Sequence, residues 1–278
     1  MRIQHNIASI NSYRNYSTNT SALNKNLQKL SSGYRINSAA DDAAGLAISE
    51  SMRSKINGLT QSEENANDAV SMIQTEEGAL TETHSMLQRM KTLATKAANG
   101  TYSTVAGSEG EVARSNIKME MVELAAEISR IAQNTKYNGL NPLDSSKTIQ
   151  LQIGPTKAET IVISGKKMTA TALSVADLGA KMMSVKGANS AIEIIDEAIN
   201  KVSSYRANLG AKQNRLEHTI NNLKVTNENV TSAESRIRDT DMASEISAYS
   251  KNSILQQAAQ SMLAQANQQP QGILSLLQ

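Results

Sequence analysis

Residues 52–87, MRSKINGLTQSEENANDAVSMIQTEEGALTETHSML, place Met52, Ile56, Leu59, Glu63, Ala66, Val70, Ile73, Glu77, Leu80, His84 and Leu87 at alternating spacings of four and three. This is the heptad pattern of a helix that buries one narrow seam against another helix. No proline interrupts it, and only Gly58 and Gly78 weaken it. The pattern predicts one continuous helix from about Gly45 to Ala98, closed by Asn99-Gly100. At 1.5 Å of rise per residue, such a helix is roughly 80 Å long.

A second seam of the same kind runs through Ile192, Ile195, Ile199, Val202, Arg206, Leu209, Gln213, Leu216, Ile220, Leu223, Asn227, Val230, Glu234 and Ile237. Two long seams at opposite ends of a chain can bury their stripes against each other, another helix of the chain, or another copy. The expected architecture is mainly α, an elongated rod of long antiparallel helices in coiled-coil packing with a small β-hairpin in the middle region. The polar seam positions Glu63, Glu77, Arg206, Gln213 and Asn227 either set register and partner or lie at solvated edges.

The composition fits helix on helix. In 278 residues there is no Cys, Trp or Phe, and there are only three Pro. A core must therefore come from Leu, Ile, Val, Met and Ala. Absence of cysteine excludes disulfides, Cys-ligated zinc and thiol nucleophiles. The near-balanced formal charge of +2 and the lack of basic blocks with interleaved aromatics argue against nucleic acid as a partner. No stretch approaches the roughly 18 apolar residues of a membrane span, so no membrane partner is expected. The N-terminal residues have no continuous apolar run of the secretory-signal type, so export, if it occurs, should use another route.

The flanks repeat the helical theme. Ile3, Ile7, Ile10, Leu23, Leu27 and Leu30 recur at helical spacing near the N-terminus. Met242, Ile246, Tyr249, Ile254, Leu255, Met262 and Leu263 do so before Pro270, which is expected to end that run. No charged side chain follows Lys251. Such segments have too little apolar area to fold alone and are expected to order on a partner. In the middle, Glu109–Ala132 reads as a third helix with Val112, Ile117, Met121, Leu124, Ile128 and Ile131 as its stripe, ended by Tyr137-Asn138-Gly139 and Pro142. Ile149–Ile153 and Thr160–Ile163, flanking Gly154-Pro155, form the hairpin candidate near 149–163.

Catalytic and cofactor chemistry finds no support in these residues. His5, His84 and His218 lie far apart on amphipathic segments, with no paired-His or His-Glu-x-x-His spacing, so no metal site is expected. Asp41-Asp42 and Asp239-Thr-Asp241 each precede a helix, where Asp caps free N–H groups. There is no Gly-rich phosphate loop. The chain is read as a non-enzyme without a cofactor.

Several collinear segments resemble bacterial flagellins, across nearly the whole chain. They are Ile7-Ala-Ser-Ile-Asn11, Leu27-Gln-Lys-Leu-Ser-Ser-Gly-Tyr-Arg-Ile-Asn37, Ala40-Asp-Asp-Ala-Ala-Gly-Leu-Ala-Ile48 and Thr75-Glu-Glu-Gly-Ala-Leu80. Asn138-Gly139, Ala207-Asn-Leu-Gly-Ala211, Asn214-Arg-Leu216, Ser235-Arg-Ile-Arg-Asp-Thr-Asp-Met-Ala243 and Ile273-Leu-Ser-Leu-Leu277 follow. The resemblance implies a subunit of the extracellular flagellar filament serving swimming motility. Residues 1–44 and 235–278 would form the inner filament-core domain and residues 45–234 the outer helical domain, without the projecting domains of larger flagellins.

It further implies an assembly core of Ile3, Ile7, Ile10, Leu23, Leu27, Leu30, Ile254, Leu255, Met262, Leu263, Leu274 and Leu277. These segments would stay unfolded through a narrow type III export channel, with no cleaved signal, and order when neighbouring copies cover them. Implied partners are further copies of the chain, flagellar cap and hook–filament junction proteins, and a cytoplasmic export chaperone on the charge-free C-terminal segment. The resemblance also implies that the Gly154-Pro155 hairpin takes part in switching between filament forms. Toll-like receptor 5 is a further implied partner, at Gln88, Arg89 and Leu93 with Glu120 on the facing helix. The neighbouring Met90-Lys91-Thr92 and Met121 depart from the family pattern. A hook–filament junction protein shares the terminal helices and is one alternative; a secreted helical tether is another.

Overall fold

The computed structural model describes residues 6–102 and 109–276, with side chains to residue 269. In chain order the elements are α1 (Ile7–Ser32), α2 (Ala43–Ala98), α3 (Glu109–Asn134), β1 (Thr148–Gln152), β2 (Thr160–Ser164), α4 (Leu178–Lys181), α5 (Val185–Arg238) and α6 (Met242–Leu276). The fold is mainly α with one two-stranded antiparallel sheet. His5 and Ile3 fall outside the described residues. The chain divides into two compact units, Met1–Asn57 with Glu228–Gln278, and Gly58–Asn227.

In the first unit, α1 and α6 pack side by side and antiparallel. Asn6 Nδ2 donates to Ala266 O at 2.7 Å, Ser9 Oγ to Asn267 Oδ1 at 2.7 Å, and Gln256 Nε2 to Thr20 Oγ1 at 3.2 Å. Asn6 caps α1 by accepting from Ser9 N. Gly33 ends that helix at φ 76°, where its N–H reaches Lys29 O at 2.8 Å, a left-handed position that costs glycine nothing.

The connections after α1 and before α6 are pinned together. Arg35 N donates to Arg238 O, Thr240 N to Gly33 O, and Arg35 Nη2 to Ile237 O. The Arg238 guanidinium lies 4.7 Å from the centre of the Tyr34 ring and donates to Glu50 Oε1.

The acidic pairs act as caps and loop anchors. Asp42 Oδ1 accepts from Gly45 N, and Asp241 Oδ1 accepts from Ala243 N and Ser244 N. Asp41 Oδ2 instead gathers Asn37 N, Ser38 N and Ser38 Oγ, and the Ser38 bonds hold its carboxyl below the ordinary value. Pro270 does not end α6, which continues to Leu276. A proline removes one N–H and crowds the preceding turn, a loss this helix absorbs near its end.

In the second unit, α2 and α5 run antiparallel, since Lys224 pairs with Glu63, Arg206 with Glu77 and Lys91 with Asp196. The buried line of α2 is Leu59, Ser62, Ala66, Ala69, Ile73, Glu76, Leu80, Thr83, Leu87, Met90, Ala94 and Ala97. Half of the expected seam is present; the other half sits one residue earlier, with Ser62, Ala69, Glu76 and Thr83 inside instead of Glu63, Val70, Glu77 and His84. On α5 the same shift puts Ala191, Ala198 and Tyr205 inside, while Ile192, Ile199 and Arg206 flank the line. Small side chains let two helix backbones approach closely, and the bulkier Val70, Ile192 and Ile199 then cover the edges of the core.

The α3 helix completes the helical layer through Ile117, Met121, Ala125, Ile128 and Ala132. Val112 faces solvent, contrary to the expected stripe, and Arg114 is fully buried. Its guanidinium donates to the carbonyls of Asn99, Tyr102 and Met182. Asn99 and Tyr102 lie just past the C-terminus of α2 and Met182 just past that of α4, ends where the helix dipole favours a cation, so Arg114 goes in and Val112 goes out.

The hairpin pairs Ile149 with Ile163 and Leu151 with Ile161, and this apolar face lies on the helical core. Its tip reaches α2 at Gly58, where a Cβ would stand 3.0 Å from the Pro155 Cβ. Asn65 Nδ2 donates to Gln152 O, and Lys212 Nζ to Val162 O at 2.7 Å.

Glu76 is the one acidic side chain in the buried line and is 1% exposed. Burial pushes its carboxyl up to about 7, opposed by a hydrogen bond from Tyr205 and by the charge of Lys212. A carboxyl whose value is raised by folding binds its proton more tightly in the native state, so its stabilising effect is present in acid and lost as pH rises through about 7. Thermal unfolding of Glu76→Gln should match wild type near pH 4.5 and exceed it at pH 8, by about 1–3 kcal/mol.

Candidate assembly surface

The terminal helices α1 and α6 carry their large apolar side chains on the outside. Ile7 is 61% exposed, Ile254 66% and Met262 63%; Ile10, Leu27 and Leu255 are exposed as well. Leu23, Leu30 and Leu263 are half-buried in the pair. Asn26 and Ala266 are the buried side chains of these two helices among the described residues. The seam between them is thus closed by amides, hydroxyls and a few leucines, leaving an apolar surface uncovered. Leu277 lies outside the described residues, as does the side chain of Leu274.

Tyr13, Met242 and Ile246 are exposed on the same two helices. Tyr13 follows Ile10 at i+3, the spacing that could have revealed it. A groove of about 350 Å³ lies between the two helices, with Ser12, Asn15 and Asn19 on one wall and Leu255, Ala258 and Met262 on the other.

Arg89 and Glu120 are brought together from α2 and α3. Arg89 Nε donates to Glu120 Oε1 at 2.7 Å, and both side chains are about half exposed. The Glu120 carboxylate holds the Arg89 guanidinium still more firmly in its charged form. Gln88 is exposed, its Nε2 3.0 Å from His84 Nε2. Leu93 differs from the expectation of a surface contact: at 5% exposure it belongs to the helical core, because the buried line broadens to include it beside Ala94. It presents almost no surface to a partner.

His84 is half-buried on α2 and His218 is exposed on α5. Among the described residues there is no group of three or more His, Cys, Asp or Glu that could hold a metal ion. No described helix is long and apolar enough to cross a membrane.

Long paired helices with an uncovered apolar face define a structural, mainly helical protein whose surface suits packing against further helices. The family model of the bacterial flagellin N-terminal helical region matches residues 3–148, and that of the bacterial flagellin C-terminal helical region matches residues 192–277. The flagellin of Bacillus subtilis (strain 168) is 47% identical over 309 aligned residues, and that of Halalkalibacterium halodurans 47% over 278. The flagellar filament 33 kDa core protein of Treponema phagedenis is 42% identical over 292. Each alignment covers the whole of both chains. The chain belongs to the bacterial flagellin family and is a structural subunit of the extracellular flagellar filament, formed by self-assembly.

The exposed face of α6 adds nothing to the packing of the isolated subunit. Ile254→Ala should therefore leave the stability of the monomer within about 0.5 kcal/mol of wild type. Leu87→Ala, in the buried line of α2, should cost about 2–5 kcal/mol in denaturant unfolding.

Proposed function

We propose that α1 and α6 complete their packing only in the filament, where neighbouring subunits cover Ile7, Ile10, Leu27, Ile254, Leu255 and Met262. The observation that carries this reading is the exposure of most large apolar side chains of the pair, while hydrogen bonds between polar groups and only a few half-buried leucines close the seam. Burying each such side chain contributes about 1.5–3 kcal/mol, offset in part by the entropy of ordering the segments. Residues 1–44 and 235–278 then form the filament core and residues 45–234 the surrounding layer.

The same segments explain how the subunit reaches its site. A chain end that is charge-free after Lys251 and exposes apolar side chains needs a cytoplasmic chaperone before export, and a type III channel requires it unfolded. Growth of the filament places the subunit beside hook–filament junction proteins and beneath a cap. Nothing in the chain favours a junction protein or a tether over the filament subunit itself.

A second reading concerns the Arg89–Glu120 pair. An exposed arginine held in one orientation by a carboxylate is a suitable anchor for a protein partner, and Gln88 stands beside it. Recognition by Toll-like receptor 5 through these three residues is supported by that geometry, while Leu93 lies in the core.

Two measurements test these readings. Wild-type protein at raised salt should sediment as filaments seen in negative stain, whereas Ile254→Asp with Met262→Asp should stay monomeric with the α2–α5 helical signal intact; unaltered assembly would overturn the coupled packing. Arg89→Ala monomers should lose receptor signalling by roughly tenfold or more, as expected of an interface anchor, and an undiminished response would remove the receptor site.

A further inference from the structure

The buried carboxyl of Glu76 is unlike every other polar group in its seam. Ser62 and Thr83 satisfy their hydroxyls on their own helix, at Gly58 O and Ala79 O. Glu76 instead accepts from Tyr205 Oη at Oε2, 3.1 Å away, and its Oε1 has no hydrogen-bond partner. A buried acceptor left alone is costly, and its protonation would remove the charge that burial disfavours.

Tyr205 is shared. Its hydroxyl lies 3.3 Å from Ser164 O on β2 as well as 3.1 Å from Glu76 Oε2. A phenol has a single proton to donate, so the two acceptors compete for it. Seven residues further along α5, Lys212 Nζ donates to Val162 O at 2.7 Å. Carbonyls two residues apart on a strand point the same way, so Tyr205 and Lys212 together hold one edge of β2 to α5.

We propose that Glu76, Tyr205 and Lys212 form a proton-operated clasp on the β-hairpin. With the Glu76 carboxyl neutral, both α5 donors serve the β2 carbonyls. With it ionised, the carboxylate draws the Tyr205 proton and the Lys212 charge toward itself and loosens that edge.

Among the described residues, the groups acting on Glu76 come from α5 and β2. From α5 they are Tyr205 and Lys212, and from β2 the contact is through the Ser164 carbonyl bound by Tyr205. On α2 the adjacent Glu77 is engaged by Arg206 instead. Burial sets the carboxyl near 7, while burial and the Glu76 charge hold the Tyr205 phenol above its ordinary value. Tyr205 therefore keeps its proton throughout the range in which Glu76 changes state. Asn65 on Gln152 O and Pro155 against Gly58 anchor the tip of the hairpin without any titrating group, so the clasp acts on the other end, near Ser164.

This inference rests on the Gly58–Asn227 unit alone and does not depend on filament assembly. It is tested by amide hydrogen exchange of the full-length subunit, kept monomeric at low salt, between about pH 5.5 and 8.5. Rates are corrected for the chemical effect of pH, and α2 amides serve as the internal reference. In wild type, residues 160–164 should exchange roughly three- to tenfold more slowly at the acid end, the range spanned by one modest hydrogen bond. Glu76→Gln should show the slow rate at every pH. Tyr205→Phe, which leaves only Lys212 to respond, should exchange faster than wild type at the acid end and with a smaller pH dependence, with unchanged circular dichroism. A pH-independent hairpin in wild type, or wild-type pH dependence in either variant, would overturn the clasp.

Discussion

Two helices of more than fifty residues each, α2 at 56 and α5 at 54, can lie together over a long distance only if the line between them stays narrow. That requirement decides which side chains go inside. At Ser62, Ala69, Thr83, Ala191 and Ala198 the smaller of two adjacent residues takes the interface and its larger neighbour covers the flank. Ala66, Ala69, Ala188, Ala191 and Ala198 are fully or almost fully buried, while Val70, Ile192 and Ile199 pack from the side. The third helix, the hairpin and the buried Arg114 are then arranged around that line.

The terminal helices invert this logic. Their mutual interface joins hydrogen bonds among Asn6, Ser9, Thr20, Gln256 and Asn267, which add little net stability because the same groups bond equally well to water, to the half-buried Leu23, Leu30 and Leu263. Ile7, Ile10, Leu27, Ile254 and Met262 stay largely outside, where they contribute little until another surface covers them. A subunit of this kind has one unit stabilised by its own core and another that leaves large apolar side chains exposed. That division matches the demands on a filament protein, which has to remain soluble before assembly and adhere strongly after it.

The two lines of polar chemistry in the Gly58–Asn227 unit serve different ends. Arg114 is a static device, since its donors meet leftover carbonyls at a helix end and its charge suits that place. Glu76 is a conditional one, because a carboxyl with an empty oxygen and a shared phenol proton has two states of similar energy near neutrality. A hairpin resting on such a group has an edge that responds to its surroundings, while its tip at Gly58 stays anchored.

Much of this was legible in the residues. Heptad spacing over Met52–Leu87 and Ile192–Ile237 specified the two long helices, Asn99-Gly100 and Tyr137-Asn138-Gly139 the ends of the first and of α3, alternating Ile149–Ile153 a strand, and Asp42 and Asp241 caps, because each depends on neighbours within a few positions. Tertiary structure alone decided which half of the heptad faced inward, that Glu76 rather than Glu77 was buried, that Arg114 replaced Val112 in the core, that Leu93 lay inside, and that α6 continued past Pro270. Those outcomes depend on how closely two distant backbones approach and on which carbonyls are left without partners there, and neither quantity is contained in a local pattern.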